Sequence, residues 1–201
     1  MILPFEPYNP EWKDQFDCIK RDLMRHVHLL NPQIEHIGST SVEGLAAKPI
    51  VDMMMGVHDE SELNLVPSLL AGKKYVYYAK YNADMPYRRF FVLLKELPAA
   101  LELPEVIEEQ DIISERMQQY NWRVAHIHVI PITSEHWIRH LAFRDYLRRH
   151  PEVKEAYQTL KKQLVQLQWN DGNDYNAAKN EFIQREEQKA IQWYKNIESN
   201  T

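Results

Sequence analysis

The chain has 201 residues with 29 acidic and 24 basic side chains, a net charge of -5 with His neutral. That balance excludes a protein that coats nucleic acid through bulk charge, while leaving room for a local basic site. A single cysteine, Cys18, excludes an intrachain disulfide and any multi-cysteine zinc site, and no apolar run reaches the ~20 residues of a membrane helix.

The opening MILPFEPYNPEW lacks a basic stretch followed by an apolar one, so no signal peptide is expected and the chain reads as cytoplasmic. Asn9-Pro10 is a helix-start signal. Trp12, Phe16, Ile19, Leu23, Val27 and Leu30 then recur at three- and four-residue spacing, which predicts an amphipathic helix closed by Asn31-Pro32. QIEHI (33–37) is a short strand running into Gly38-Ser39-Thr40-Ser41, and SVEGLAAK a short helix or tight turn. PIVDMMMGV (49–57) is apolar at nearly every position, as a strand covered on both faces is. A helix follows over 61–70, then strands over 75–79, 88–94 and 124–131. From Ser134 the pattern is helical to about residue 197, with restarts at Pro151 and after Gly172. The acid-rich stretch 95–121 is expected to hold a solvated helix over 104–120 between two strands. The expected whole is one domain, 1–201: an α/β mixed sheet over 33–131 with helices of 134–197 packed on it.

The candidate chemistry sits around HIGSTSVEGLAAKPIVD. Gly38-Ser39, after a strand, lets backbone N–H groups and the Ser oxygen approach a phosphate, with Thr40 and Ser41 extending the turn. Alternation puts Ile50, Asp52 and Met54 on one face of the next strand. A carboxylate among apolar neighbours is costly unless it meets a cation, donors or solvent. Asp52 either holds a metal beside the phosphate turn or accepts N–H bonds from that turn as a structural staple. His126 and His128 share the other strand's polar face. Their pairing points to a polar cavity suited to acid–base work, phosphate binding or a metal. Lys48, Arg88, Arg89 and Lys179 are the candidate anion contacts, and alternation lets only one of the two arginines reach the site. His136 and His140 read as surface or capping residues. Arg139 and Arg144 could close the pocket, Asp84 is a loosely placed further carboxylate, Cys18 reads as inert, and the Trp and Tyr residues read as core.

GSTSVEGLAAKPIVD, MPYRRFF (85–91), HIHVIP (126–131), HLAFRDYLRRHPE (140–152) and AAKNEFI (177–183) lie in order. Together these blocks resemble the GrpB family, whose domain belongs to the nucleotidyltransferase superfamily and is fused in some proteins to dephospho-CoA kinase. The resemblance implies a nucleotidyltransferase-like fold with a helical C-terminal region. It also implies a Gly-Ser turn paired with strand carboxylates that hold divalent metal, Mg²⁺ or Mn²⁺, and a nucleotide. Gly38, Ser39 and Asp52 match that pattern. The second carboxylate position is Met54, a poor Mg²⁺ ligand, which weakens two-metal transfer. Three functions stay open. The first is a nucleotidyltransferase with Asp52, His126 and His128 in the catalytic set and Asp52 and His128 on the metal. The second is a non-catalytic module for a nucleotide or other phosphorylated small molecule. The third is a His/Asp metal-dependent phosphohydrolase. The residues do not fix an oligomeric state.

Overall fold

The computed structural model describes residues 4–170 and 172–198. Its centre is a five-stranded mixed sheet of β1 (Gln33–Ile37), β2 (Val51–Val57), β3 (Tyr75–Tyr77), β4 (Arg89–Leu94) and β5 (Arg123–Pro131), in the order β1-β2-β5-β4-β3. Only the central pair β2/β5 is parallel; the other three pairings are antiparallel. The three interior strands, β2, β5 and β4, carry the long apolar runs, as strands covered on both faces do.

One face is closed by α1 (Glu11–Val27) and α2 (Val66–Leu70). The stripe Phe16, Ile19, Leu23 and Val27 packs against Val51, Met53 and Met55 of β2 and Ala125, Ile127 and Val129 of β5. Each such side chain contributes about 1.5–3 kcal/mol on leaving water, which is why the three- and four-residue periodicity places α1 unambiguously. The opposite face carries the polar positions and has two partial covers. Over β3 and β4 lies the segment after β4, through Leu101, Ile107 and Met117. Over β1, β2 and β5 lies α4 (Glu135–Arg149), through Trp137 against Ile37, Met54 and Ile130. α5 (Pro151–Leu164) and α6 (Gly172–Glu198) stack outside α4, where Phe143, Leu147, Tyr157 and Phe182 pack together. Between the two covers a strip of the sheet stays open.

The sheet and the helical C-terminal third match the sequence pattern. The segment before β5 does not: only α3 (Glu115–Gln118) is an α-helix, not 104–120. Pro98 and Pro104 interrupt the run, and Val106 instead makes an isolated parallel bridge to Tyr77. The predicted 61–70 helix is also split, into a 3₁₀ turn over Glu60–Asn64 and α2. Residues 39–41 form one 3₁₀ turn, followed by irregular chain up to β2.

Gly56 marks where α4 presses closest on β2. A Cβ there would lie 2.4 Å from Ile132 Cγ2 and 2.7 Å from two ring carbons of Trp137. Gly56→Ala should therefore lower stability by about 1–3 kcal/mol, the range for overpacking, as a fall in urea midpoint at unchanged m-value. An unchanged midpoint would mean that α4 gives way freely.

Candidate functional site

β2 and β5 run side by side in a register that pairs Asp52 with His126 and Met54 with His128. Asp52, His126 and His128 face the strip left open between the covers, while Met54 lies under α4 against Trp137. Strand alternation thus places one carboxylate and two imidazoles on a single patch, at the floor of a cavity of about 410 Å³. The turn after β1 forms one wall. Gly38 has φ +67°, a left-handed conformation that favours glycine, and a Cβ there would lie 2.6 Å from Asp52 Oδ2. The Gly-Ser turn can reach the carboxylate only because it begins with glycine.

The donors fix the tautomers. Asp52 Oδ1 lies 3.1 Å from His126 Nδ1. An ionised carboxylate only accepts, so His126 donates from Nδ1 and its Nε2 carries the lone pair. That Nε2 is buried and meets no partner among the described residues. At His128 the roles reverse: Arg88 donates from its guanidinium to Nδ1 at 3.2 Å, leaving the proton on Nε2. Burial works to raise the Asp52 carboxyl, but the His126 hydrogen bond and the charges of His126 and Lys48 outweigh it and hold it at about 2. Burial pushes both histidines down, His128 furthest, with the Arg88 charge adding to the shift.

Lys48, Arg88, Arg123, Lys161 and Lys179 also line the cavity, against one carboxylate among the described residues, that of Asp52. Among the described residues none of the five forms an ion pair. They rest on aromatic rings instead. Lys48 Nζ lies 4.6 Å from the Tyr120 ring centroid, Lys179 Nζ 4.3 Å from that of Tyr175, and Arg88 stacks on Phe90. Lys161, 2% exposed, reaches in from α5 and hydrogen-bonds Ser39 Oγ at 3.0 Å and the Ala46 carbonyl. Burial, together with the neighbouring Lys179 charge, presses its ammonium down to about 7. The Lys179 ammonium falls to about 8 by burial and the Lys48 charge. Cations held this way, without carboxylates, make a wall for an anion.

Of the residues singled out in the sequence, Ser39, Thr40, Lys48, Asp52, Arg88, His126, His128 and Lys179 line this cavity, and Gly38 abuts it. Ser41 and Arg89 lie elsewhere. The Ser41 carbonyl accepts two bonds from Arg148 on the far side of the turn, while Arg89 donates to the Pro86 carbonyl and Asn64. Arg139 pairs with Glu187, and Arg144 is spent on Glu35 and Asp145. Asp84 is exposed and does not line the cavity. His140 is no surface residue: it lies behind His128, their ring centroids 6.0 Å apart, and donates from Nδ1 to the His136 carbonyl. His136 stacks on Tyr87. Cys18 accepts a hydrogen bond at its sulfur from Arg21, one turn on, at 3.2 Å. Tyr81, Tyr120 and Tyr175 line the cavity rather than serving as core alone.

Lys161 and Arg123 were not visible as site residues in the sequence. For Lys161 one signal existed: it sits four residues after Tyr157 and eight after Val153, on the buried stripe of α5. A lysine on such a stripe needs a reason.

The donor set does not make a two-metal centre. Asp52 is the cavity's only carboxylate among the described residues, Met54 is fully buried against Trp137 and Ile130, and Arg88 faces the Nδ1 of His128. Among the described residues no three His, Cys, Asp or Glu side chains are grouped to hold a metal ion. No helix among them is long and apolar enough to cross a membrane.

The chain has relatives of known sequence and of known structure. The profile of the GrpB protein family matches residues 4–189, and the chain belongs to that family. It is 30% identical to the UPF0157 protein YqkA of Bacillus subtilis over 94% of its own length, and spans 47% of that longer relative. It is 26% identical to the glutamate-rich protein GrpB of Alkalihalophilus pseudofirmus, with 88% of each chain covered. The crystal structure of the conserved protein GrpB from Enterococcus faecalis aligns with a TM-score of 0.73 at 30% identity, covering 94% of this chain and 98% of that one.

Proposed function

We propose that the cavity binds a phosphorylated small molecule, with a nucleotide as the class that fits best. The observation that carries this reading is the charge imbalance: among the described residues, five cations and one carboxylate line one cavity. Two of the lysines are buried enough to lose much of their basicity. A buried cation without a counter-ion costs several kcal/mol, and an arriving anion offsets that cost. Lys48, Arg88 and Lys179 would meet the phosphates, Ser39 would donate to them, and the aromatic lining of Tyr81, Tyr120 and Tyr175 would pack beside a base. Asp52, held ionised and fixed by His126, has its other oxygen at the turn, where it would orient a ligand hydroxyl.

Nucleotidyl transfer is the extension of this reading that the Gly38–Asp52 contact favours. With one carboxylate among the described residues the site is short of ligands for a metal pair, so no step is assigned to a metal.

Thermal stability against nucleoside triphosphates, diphosphates, pyrophosphate and the matching nucleosides, each in EDTA and in Mg²⁺, tests the reading. A phosphorylated ligand at 100 times its Kd should stabilise the native state by about 2.7 kcal/mol. The effect should survive EDTA, weaken with salt and vanish for the nucleosides. No shift with any phosphorylated compound would overturn the reading, and a shift seen only with Mg²⁺ would return the metal to the site.

A further inference from the structure

A buried lysine bonded to a serine hydroxyl is more than a positive charge. Lys161 Nζ lies 3.0 Å from Ser39 Oγ and has no carboxylate partner among the described residues; its second acceptor is the Ala46 carbonyl. Tyr157, one turn earlier on α5, has its phenol beside Ser39, and burial raises that phenol so that it stays protonated. Lys161 itself is 2% exposed, whereas Ser39 is only half-buried and opens to the cavity. Gly38 and the 3₁₀ turn hold Ser39 at the end of β1, next to Asp52 and within the ring of cations. A serine becomes a nucleophile when a base sits within hydrogen-bond reach, and lysine serves as that base when burial keeps part of it uncharged.

We propose that Ser39 is a nucleophile toward a phosphoryl centre and that Lys161 is the base that takes its proton. The Ser39 Oγ–P bond forms, the bond from phosphorus to the leaving oxygen breaks, and that oxygen departs with the electron pair. The hydroxyl proton passes to Lys161 Nζ, which becomes an ammonium. Charge developing on the phosphoryl oxygens is met by Lys48, Arg88 and Lys179. A serine nucleophile supplies what Asp52 alone cannot, an attacking oxygen activated without a metal pair. At neutral pH Lys161, pressed to about 7, is present in both the accepting and the donating form.

For the class of its natural ligand the proposal rests on the anion-binding reading, but its test does not. An uncharged alkyl phosphonofluoridate needs no cationic wall. Ser39 displaces its fluoride and the enzyme gains a stable phosphonyl group, read by intact mass and peptide mapping. Wild type should carry one adduct, on Ser39, and Ser39→Ala should carry none. Lys161→Met should label at least 100-fold more slowly, the lower end of a positioned base's contribution, with its near-ultraviolet circular dichroism retained. The wild-type rate should rise to a plateau with a midpoint at about 7. That profile also decides the matter if Lys161→Met fails to fold, because an unassisted serine would keep accelerating with hydroxide to pH 10. No adduct, an adduct elsewhere, an undiminished rate in folded Lys161→Met, or a rate without a plateau would each overturn the proposal. Labelling without any nucleotide-induced stabilisation would leave it standing and remove only the nucleotide reading.

Discussion

Lowering the pH of the ligand-free protein from 7 to 4.5 should remove several kcal/mol of stability, most of it through buried histidines. His36 and His140 are each pressed from an ordinary 6.5 to about 4, chiefly by burial. His36 is held between the Phe16 ring, stacked at 4.8 Å, and Thr40 Oγ1 at 3.0 Å. His140 is enclosed behind His128. A base with a depressed folded pKa is neutral in the native state while the unfolded chain protonates it. Its contribution is complete above about 6.5 and is lost as pH falls toward about 4. Each such histidine accounts for up to about 3 kcal/mol, against a typical total of 5–15 kcal/mol. His126 and His128, shifted the same way, add to the slope. Asp52, held near 2, stays charged throughout this window and does not offset it. Urea midpoints between pH 4 and 8 measure the effect, and His36→Asn should reduce the slope by up to about one proton, 1.4 kcal/mol per pH unit. A flat profile would mean that the histidines protonate within the native state.

The same linkage makes the basic side of the profile unusual. Lys161 and Lys179 lose their protons near 7 and 8 in the native protein, whereas an ordinary lysine keeps its proton to about 10.4. Between those values the unfolded chain binds more protons, so stability rises with pH. Above about 10 the raised phenols of Tyr75 and Tyr157 reverse the trend, since the unfolded chain then loses protons that the native state keeps. A bound phosphate removes the lysine part of this rise by holding both amines charged.

How much of this was legible depended on whether a residue's role was set by its neighbours in sequence or across the fold. β2 and β5 could be read because two-face burial leaves an unbroken apolar run, in which Asp52, His126 and His128 stand out as expensive exceptions. That Asp52 would meet His126 rather than His128 was not legible, since it follows from the β2/β5 register, and register is set by packing across the fold. Strand alternation separated Arg88 from Arg89 correctly but could not say which faced inward. Lys161 and Arg123 escaped notice because basic side chains ordinarily mark solvent, and only the α5 stripe and the course of the chain beside Tyr120 bring them to the cavity. The 95–121 stretch misled because its acids suggested a solvated helix, while its prolines and its bridge to β3 decided the outcome.

Replacing Lys179 by methionine should move stability and ligand affinity in opposite directions. Its Nζ sits over the Tyr175 ring at 4.3 Å and has no hydrogen-bonded or ionic partner among the described residues. In the ligand-free protein it is therefore a desolvated cation beside two others, Lys48 and Lys161. Methionine keeps the length and the contact with the ring while removing the charge, and such exchanges of a buried ion for an apolar side chain commonly stabilise by about 1–4 kcal/mol. With no partner left behind, no new unsatisfied group offsets the gain. The bound state loses a charge-assisted contact to phosphate, worth about 1.5–3 kcal/mol, so affinity should fall about 10- to 100-fold. Urea denaturation without ligand and calorimetry with the best phosphorylated ligand supply the two numbers. Both falling together would mark Lys179 as a structural residue. Both rising would mean that the ligand does not use Lys179, leaving the other cations of the lining, Lys48, Arg88, Arg123 and Lys161, to hold it.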